Sequence, residues 1–284
     1  MAFIGIEGKA RPVSQVYVGV NGVARLVTAA YIGVNGIAQP WLGSNSGDVV
    51  GDIPMLAPGR QWFKHNTLDW AYGNVEIVDS YEPNGNEYAS WAADVDGTGS
   101  IMCYVYKSGG YSFEYDKVII AGNGSGMIAA NSNSVVAFAR TMGSNCNFTV
   151  TGLNLLDTRS VVNMDGMLAG ITNDISAQIR GWKTGTVNNM LNLFEHCSGI
   201  TTLDLSGWDV SQVTNLDHTF AYCSNLTTLN LTGWNTARVE EWSYLFRNCS
   251  KLEEVIVTSG KWTLDSGSNE MFYQCGKIDS LTYV

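Results

Sequence analysis

The C-terminal half of the chain repeats itself every 26 positions, and that period restricts the fold more than any other feature. Phe194, Phe220, Phe246 and Phe272 stand 26 residues apart, and so do Cys197, Cys223, Cys249 and Cys275. Ile200, Leu226, Leu252 and Ile278 form a third column; Leu203, Leu229, Val255 and Leu281 form a fourth. Leu205, Leu231 and Val257 make a fifth. Gly-Trp pairs at 181–182, 207–208 and 233–234 punctuate the units, and Val187, Val213 and Val239 follow the tryptophans. One such unit is too short to bury its apolar face alone, so the units must stack on one another.

Within a unit, Met190, Leu193, Phe194 and Cys197 recur at helical spacing, which predicts a helix over 189–197 ended by Gly199. Residues 201–206 alternate polar and apolar, as a half-buried strand does. The predicted fold class is therefore an α/β repeat solenoid whose strands lie side by side, parallel and ~4.8 Å apart. Its phase runs back through Met164, Met167, Leu168 and Ile179 to a looser coil over 148–161. Alternate strand residues point outward, which groups Thr202, Asp204 and Ser206 with Thr228, Asn230 and Thr232, then with Glu254, Ile256 and Thr258. This polar, hydroxyl-rich face is the candidate binding surface for a host-surface glycan or a polar protein loop. A solvated sheet with no ligand is the alternative.

The string LFEHCSGITTLDLSGWDVSQVTNLDHTFAYCSNLTTLNLTGW resembles the BspA-like leucine-rich repeats of bacterial surface proteins, where MFxxCxxLxxLDLSxWDTSxVTNM recurs. The likeness is closest over 186–258, weaker over 150–185 and lost after Lys261, since Trp262 falls two positions beyond the register. It implies a right-handed leucine-rich stack used in adhesion or protein binding, with no enzymatic activity.

A second repeat, of period 14, aligns residues 3–11, 17–25 and 31–39. Asn21-Gly22 and Asn35-Gly36 each sit between β-prone runs, and such pairs favour type I′ hairpin turns. Each unit is predicted to be one small hairpin with almost no core, ordered against a partner or a copy of itself. Pro40 ends the module, because proline cannot donate to a sheet ladder. The tandem YVGVNGVAR…YIGVNGIAQ is similar to a short N-terminal module of structural and tail-associated proteins in phages and prophages of Gram-positive bacteria. That likeness implies anchoring to other virion proteins, with Tyr17, Asn21, Gly22, Tyr31, Asn35 and Gly36 as the anchoring residues. A homo-oligomer is expected, a trimer among the options.

Four segments follow: hairpins over 1–41, a Gly-, Ser-, Asp- and Pro-rich linker over 42–60, a small β domain over 61–145 and the solenoid over 146–284. In the β domain, strands are predicted at 73–78, 100–106, 111–115 and 117–121. Its DxDGTGSIMCY…KVIIAGNGSGMI order resembles the segment before the repeats in BspA-like proteins, which implies a cap on the first coil.

A net charge of -10 argues against nucleic acid or an anionic membrane as the main partner. Residues 1–8 lack the basic and apolar regions of a secretory signal, so a virion location with release by lysis is expected. The bacterial cell surface is the alternative. No CxxC occurs, and the repeated cysteines are expected as a buried reduced ladder rather than zinc ligands or disulfides. Asp94 and Asp96 begin like a calcium loop but lack its third acid and closing glutamate, which predicts a turn. Gly122, Gly124 and Gly126 lack the GK[ST] ending of a phosphate loop. His65, His196 and His218 are the only histidines, and no Ser-His-Asp, Cys-His or paired-carboxylate pattern is visible. The expectation is no enzyme, no metal and no cofactor. Trp182, Trp208 and Trp234 suit a structural spine better than a sugar platform.

Overall fold

In the computed structural model each unit of the 14-residue repeat is an antiparallel hairpin. β1 (Ala2–Ile6) pairs with β2 (Lys9–Val13), β3 (Tyr17–Val20) with β4 (Val23–Leu26), and β5 (Tyr31–Val34) with β6 (Ile37–Pro40). Val20 lies opposite Val23 and Val34 opposite Ile37. The structure describes residues 2–6, 9–13, 17–20, 23–26, 31–34, 37–40, 53–58, 72–106, 115–139, 148–262, 270–278 and 280–284. The chain forms two compact units, Met1–Ile53 and Pro54–Val284.

The second unit begins inside the predicted linker. Leu56 is 3% exposed, and its N–H donates to the Ala129 carbonyl at 2.9 Å. A buried apolar residue with a paired backbone belongs to a core, so the linker reading fails at 54–58.

Six strands follow: β7 (Tyr72–Val78), β8 (Ala89–Ala92), β9 (Met102–Tyr106), β10 (Tyr115–Ala121), β11 (Ile128–Ala129) and β12 (Thr149–Thr151). Five of them form one sheet in the order β12-β7-β10-β9-β8. β7 runs parallel to both β10 and β12, while β8, β9 and β10 are antiparallel neighbours. Val75, Ile77, Cys103, Val105, Val118 and Ile120 fill one face and are each at most 2% exposed. β12 belongs to the repeat region, so the sheet and the stack share a strand rather than meeting as separate bodies. Gly152 makes that junction possible: a Cβ there, at φ 82°, would lie 1.9 Å from the Ile77 carbonyl oxygen. The strand expected at 111–115 lies mostly outside the described residues.

Beyond β13 (Leu156–Asp157) the 26-residue period becomes a hydrogen-bonded register. β14 (Thr202–Asp204), β15 (Thr228–Leu231), β16 (Glu254–Val257) and β17 (Thr282–Tyr283) form a parallel sheet in chain order. Leu203 pairs with Leu229, and Leu229 with Val255. In the preceding coil one helical turn, α1 (Ser176–Ile179), takes the strand's place.

The helix expected over 189–197 is instead a run of hydrogen-bonded turns. The N–H groups of Leu193, Glu195 and Cys197 each bond back three residues, to Met190, Asn192 and Phe194. The alternate N–H groups, of Met190, Asn192, Phe194 and His196, donate to Asn215, Asp217, Thr219 and Ala221 of the next coil at 2.8–3.1 Å. The residues are left-handed at Asn192 (φ 55°) and His196 (φ 61°), which breaks any i to i−4 helix. The buried backbone is satisfied by alternating local turns with a ladder between coils, as buried polar groups require. Helical spacing misled because these turns return apolar residues to one side at intervals of three and four.

The ladder also starts earlier than expected. Ser134, Val136 and Phe138 donate to Asn163, Asp165 and Met167 at 2.8–3.0 Å. Val136 (φ 47°) matches Gly166 (φ 57°) across this first, longer step. The boundary expected at 145/146 therefore falls within the stack. A ladder of asparagines opens the turns: Asn163, Asn189 and Asn215 bridge one another, and each Oδ1 accepts the N–H two residues on at 2.8–3.0 Å.

One apolar core runs from Leu56 to Met271. Phe194, Phe220 and Phe246 are 0% exposed and stack at 5.4 and 5.7 Å. Trp262 stays in the tryptophan column despite its shifted position, 6.5 Å from Trp234 and 8% exposed.

Candidate functional site

The strand sheet brings together the residues grouped from the sequence. Thr202 lies beside Thr228 and Thr228 beside Glu254, while Asp204 lies beside Asn230 and Asn230 beside Ile256. Thr202 and Ser206 are exposed, and the other seven are half-buried. The two rows differ in chemistry. Asp204 and Asn230 each turn an oxygen back to the N–H two residues on, at Ser206 and Thr232, both at 3.1 Å. Asn230 also donates to Asp204 Oδ1 at 3.1 Å. Thr258 Oγ1 accepts from the Gly233 N–H at 2.9 Å. These side chains hold the strand ends. In the row Thr202–Thr228–Glu254, the side chains make no hydrogen bond with the described residues.

Arg180 was not legible as part of this face. It comes from the end of α1, and its guanidinium reaches Asp204 Oδ2 at 2.9 Å. The Ser206 hydroxyl and Arg180 together hold the Asp204 carboxyl below the usual carboxylate range. The signal for it was the register, since Arg180 stands 26 residues before Ser206 in the column of Ser206, Thr232 and Thr258, but the coil that carries it has a helical turn where the others have strands.

A second concavity, of about 830 Å³, follows the tryptophan turns. Thr186, Gln212 and Arg238 line it in one 26-residue column, and Asn188, Thr214 and Glu240 in another. Arg238 bonds to Gln212, and Thr214 Oγ1 donates to the Asn188 carbonyl at 3.2 Å, so the coils are tied along the groove.

The loop at Asp94 is a turn. Oδ2 accepts the Thr98 N–H and hydroxyl, both at 2.7 Å, and Oδ1 accepts the Gly99 N–H at 3.0 Å. Burial raises this carboxyl, but those bonds outweigh it and bring the pKa below its ordinary value. Among the described residues no group of three His, Cys, Asp or Glu side chains could hold a metal ion. Gly124 and Gly126 fold over Asp79, whose Oδ1 accepts the Gly126 N–H at 2.7 Å. His196 stacks on Tyr222 at 4.3 Å, and His218 Nδ1 lies 3.1 Å from Asp217 Oδ2. His65 and Cys146 lie outside the described residues. Trp182, Trp208 and Trp234 are at most 3% exposed, a spine and not a platform.

Tyr17 opens β3 and Tyr31 opens β5, whereas Asn21, Gly22, Asn35 and Gly36 lie outside the described residues. Among the described residues no helix is long and apolar enough to cross a membrane.

Residues 136–262 match a family described as "Mycoplasma protein of unknown function, DUF285", which is related to the BspA-like repeat proteins. The match starts within the early turn ladder and ends at Trp262. No curated protein and no solved structure matches the chain.

Proposed function

We propose that this chain is a non-enzymatic binding protein of a phage or prophage virion, a tail, baseplate or capsid-decorating component. In this reading the stack is a BspA-like leucine-rich-repeat module, and its strand face takes a host-surface glycan or protein. The hairpins of residues 1–41 join it to other virion proteins. The carrying observation is the open row Thr202–Thr228–Glu254, held in strand register on a continuous core. A rigid, evenly spaced polar row suits recognition of a repeating or extended polar ligand, because little ordering remains to be done on binding.

Two measurements test this. Antibody against the chain, imaged on intact particles by negative-stain microscopy, should label virions. Deleting residues 1–41 should leave a folded remainder that no longer joins the particle. Unlabelled particles, or a truncated chain that still assembles, would reject the virion reading. The match to a mycoplasmal family supports a second reading, a bacterial cell-surface adhesin, which surface labelling of cells would detect instead.

A further inference from the structure

The cysteine column changes character at its fourth member. Cys197, Cys223 and Cys249 are at most 1% exposed, whereas Cys275 is half-buried. Phe272, Ile278 and Leu281 of the same coil are also only partly buried against the core. That coil adds β17 to the strand sheet, so its attachment decides how far the sheet extends.

Cys249 and Cys275 are held side by side. Before them in the chain, the Phe246 and Phe272 rings stack at 5.3 Å, and the Asn248 N–H donates to the Tyr273 carbonyl at 3.0 Å. After them, Ile256 pairs with Thr282 and Val257 with Tyr283. Residues matched across such a register lie roughly 4.8 Å apart. A disulfide joins Cα atoms about 4.4–6.8 Å apart, so the pair falls within its reach. The two sulfurs also point the same way. Cys249 Sγ donates to the Phe220 carbonyl at 3.0 Å, and Cys275 Sγ to the Phe246 carbonyl at 2.7 Å. The second of these bonds holds the Cys275 sulfur against the coil of Cys249.

Cys197, Cys223 and Cys249 share the same register, so spacing alone singles out no pair. Access does. Disulfide exchange begins when a thiolate attacks a sulfur of the oxidant, and a thiol sealed in the core meets no oxidant. Cys275 is the member of the column that solvent reaches. It is also the member most ready to ionise, because the hydrogen bond from the Cys249 thiol lowers its pKa from the ordinary value, although burial acts the other way. The other three are raised, Cys197 and Cys223 by burial and Cys249 by its bond to Cys275 together with burial.

We propose that Cys249 and Cys275 form an oxidant-dependent disulfide, with Cys275 as the attacking thiol, Cys249 as the resolving thiol and a low-molecular-weight disulfide as the oxidant. In the first step the Cys275 thiolate attacks one sulfur of the oxidant, whose S–S bond breaks and releases one thiol. In the second, Cys249 gives up its proton and attacks Cys275 Sγ, which releases the second thiol. The pair loses two electrons and two protons, and the oxidant gains both. The free thiols of the structure are the reduced state of this pair. The bond closes the loop from 249 to 275 and constrains the unfolded chain, which fastens the coil that packs least deeply. This inference is independent of what the strand face binds.

The full chain, purified reduced and then treated with glutathione disulfide near neutral pH, should lose the mass of two hydrogen atoms. Peptide mapping without reductant should join Cys249 to Cys275, and the oxidised chain should melt at a higher temperature than the reduced one. Cys249→Ser should stop at a mixed disulfide between Cys275 and glutathione. Cys275→Ser should gain neither the bridge nor an adduct on Cys249. If Cys249→Ser fails to fold by circular dichroism, Cys249→Ala replaces it and should give the same adduct. The proposal is overturned by a native chain that keeps its thiols free or stops at the glutathione adduct. A bridge to any other cysteine or to a second chain overturns it too, as does an oxidised chain that melts no higher than the reduced one.

Discussion

The indole N–H of Trp234 donates to the carbonyl of Leu205, 29 residues earlier, at 3.0 Å. Trp208 does the same to Ile179 at 3.3 Å, and Trp182 to Leu153 at 3.0 Å. Each tryptophan thus ties its own coil to the one before by a bond that stacking alone cannot supply. Trp262 keeps its place in the column, but its Nε1 is buried with no acceptor among the described residues. Two extra residues in the last step displace the indole from that carbonyl while leaving it in the core.

This difference gives a paired expectation. Trp234→Phe removes ring volume and a hydrogen bond, whereas Trp262→Phe removes ring volume and an unsatisfied donor. Denaturant unfolding should find Trp234→Phe more destabilising by about 1 kcal/mol or more. Equal losses would mean that the indole bond contributes nothing.

The phenylalanine column should respond by position. Phe220→Ala and Leu229→Ala, both at fully buried sites, should cost roughly 2–5 kcal/mol each, as other large-to-small core changes do. Phe272 is only half-buried, so Phe272→Ala should cost less. Thermal melts of the three variants would order them, and an unchanged melting temperature for Phe220→Ala would contradict the register.

The stacking register was legible because equivalent residues recur at a fixed interval, and Leu203, Leu229 and Val255 do pair side by side. The local conformation between the strands was not. Met190, Leu193, Phe194 and Cys197 satisfy a helical pattern and a run of turns equally well, since both return side chains to one face every three or four residues. What decides is the left-handed backbone at Asn192 and His196, and only Gly166 and Gly170 of the earlier coil hinted at it. The candidate face was legible as a surface, because strand alternation fixes which residues point outward. Its division into bonded and open rows was not, because the bonds of Asp204 and Asn230 depend on turns that the pattern does not specify.

The four repeat thiols are more than apolar filler. Sγ of Cys197, Cys223, Cys249 and Cys275 each approaches a carbonyl of the preceding coil, at 3.1, 3.1, 3.0 and 2.7 Å. All four are free cysteines, and burial pushes the Cys197 thiol up to about 12. Reactivity follows the thiolate. Alkylation near neutral pH should therefore spare Cys197, Cys223 and Cys249 in the native protein, and modify the half-buried Cys275 first. All four should react after denaturation without reductant. A consistent bridge between Cys197 and Cys223 would overturn the ladder.

In the loop between β7 and β8, Glu87 accepts the Tyr81 and Tyr106 hydroxyls at 3.0 and 2.8 Å and the Asn84 and Gly85 N–H groups, both at 2.9 Å. Burial raises its carboxyl, but these bonds prevail and lower the pKa from 4.5 to about 2. A pKa depressed by folding contributes stability above the unfolded value, and that contribution fades as pH falls through the folded one. The gap in melting temperature between the native chain and Glu87→Gln should therefore narrow as pH drops from 4.5 towards 2. A gap that stays constant across that window would place the stabilisation elsewhere.

The strand face needs substitutions that separate recognition from folding. Alanine at Asp204 or Asn230 removes the bond to Ser206 or Thr232, and each loss should cost about 0.5–1.5 kcal/mol. Reduced binding in such a variant would be ambiguous. Thr202 and Glu254 have no side-chain bond to lose among the described residues, so Thr202→Arg with Glu254→Arg adds bulk and reverses a charge on the open row while leaving the strand ends intact. This pair should melt within about 0.5 kcal/mol of the native chain, the usual range for surface changes. It should nonetheless abolish adsorption of the purified protein to Gram-positive cells, measured by fluorescence of the labelled chain. If adsorption persists in a variant with native circular dichroism, the strand face is not the recognition surface. The groove of Thr186, Gln212 and Arg238 would then be the next to alter, by Gln212→Trp, which fills it without touching the core.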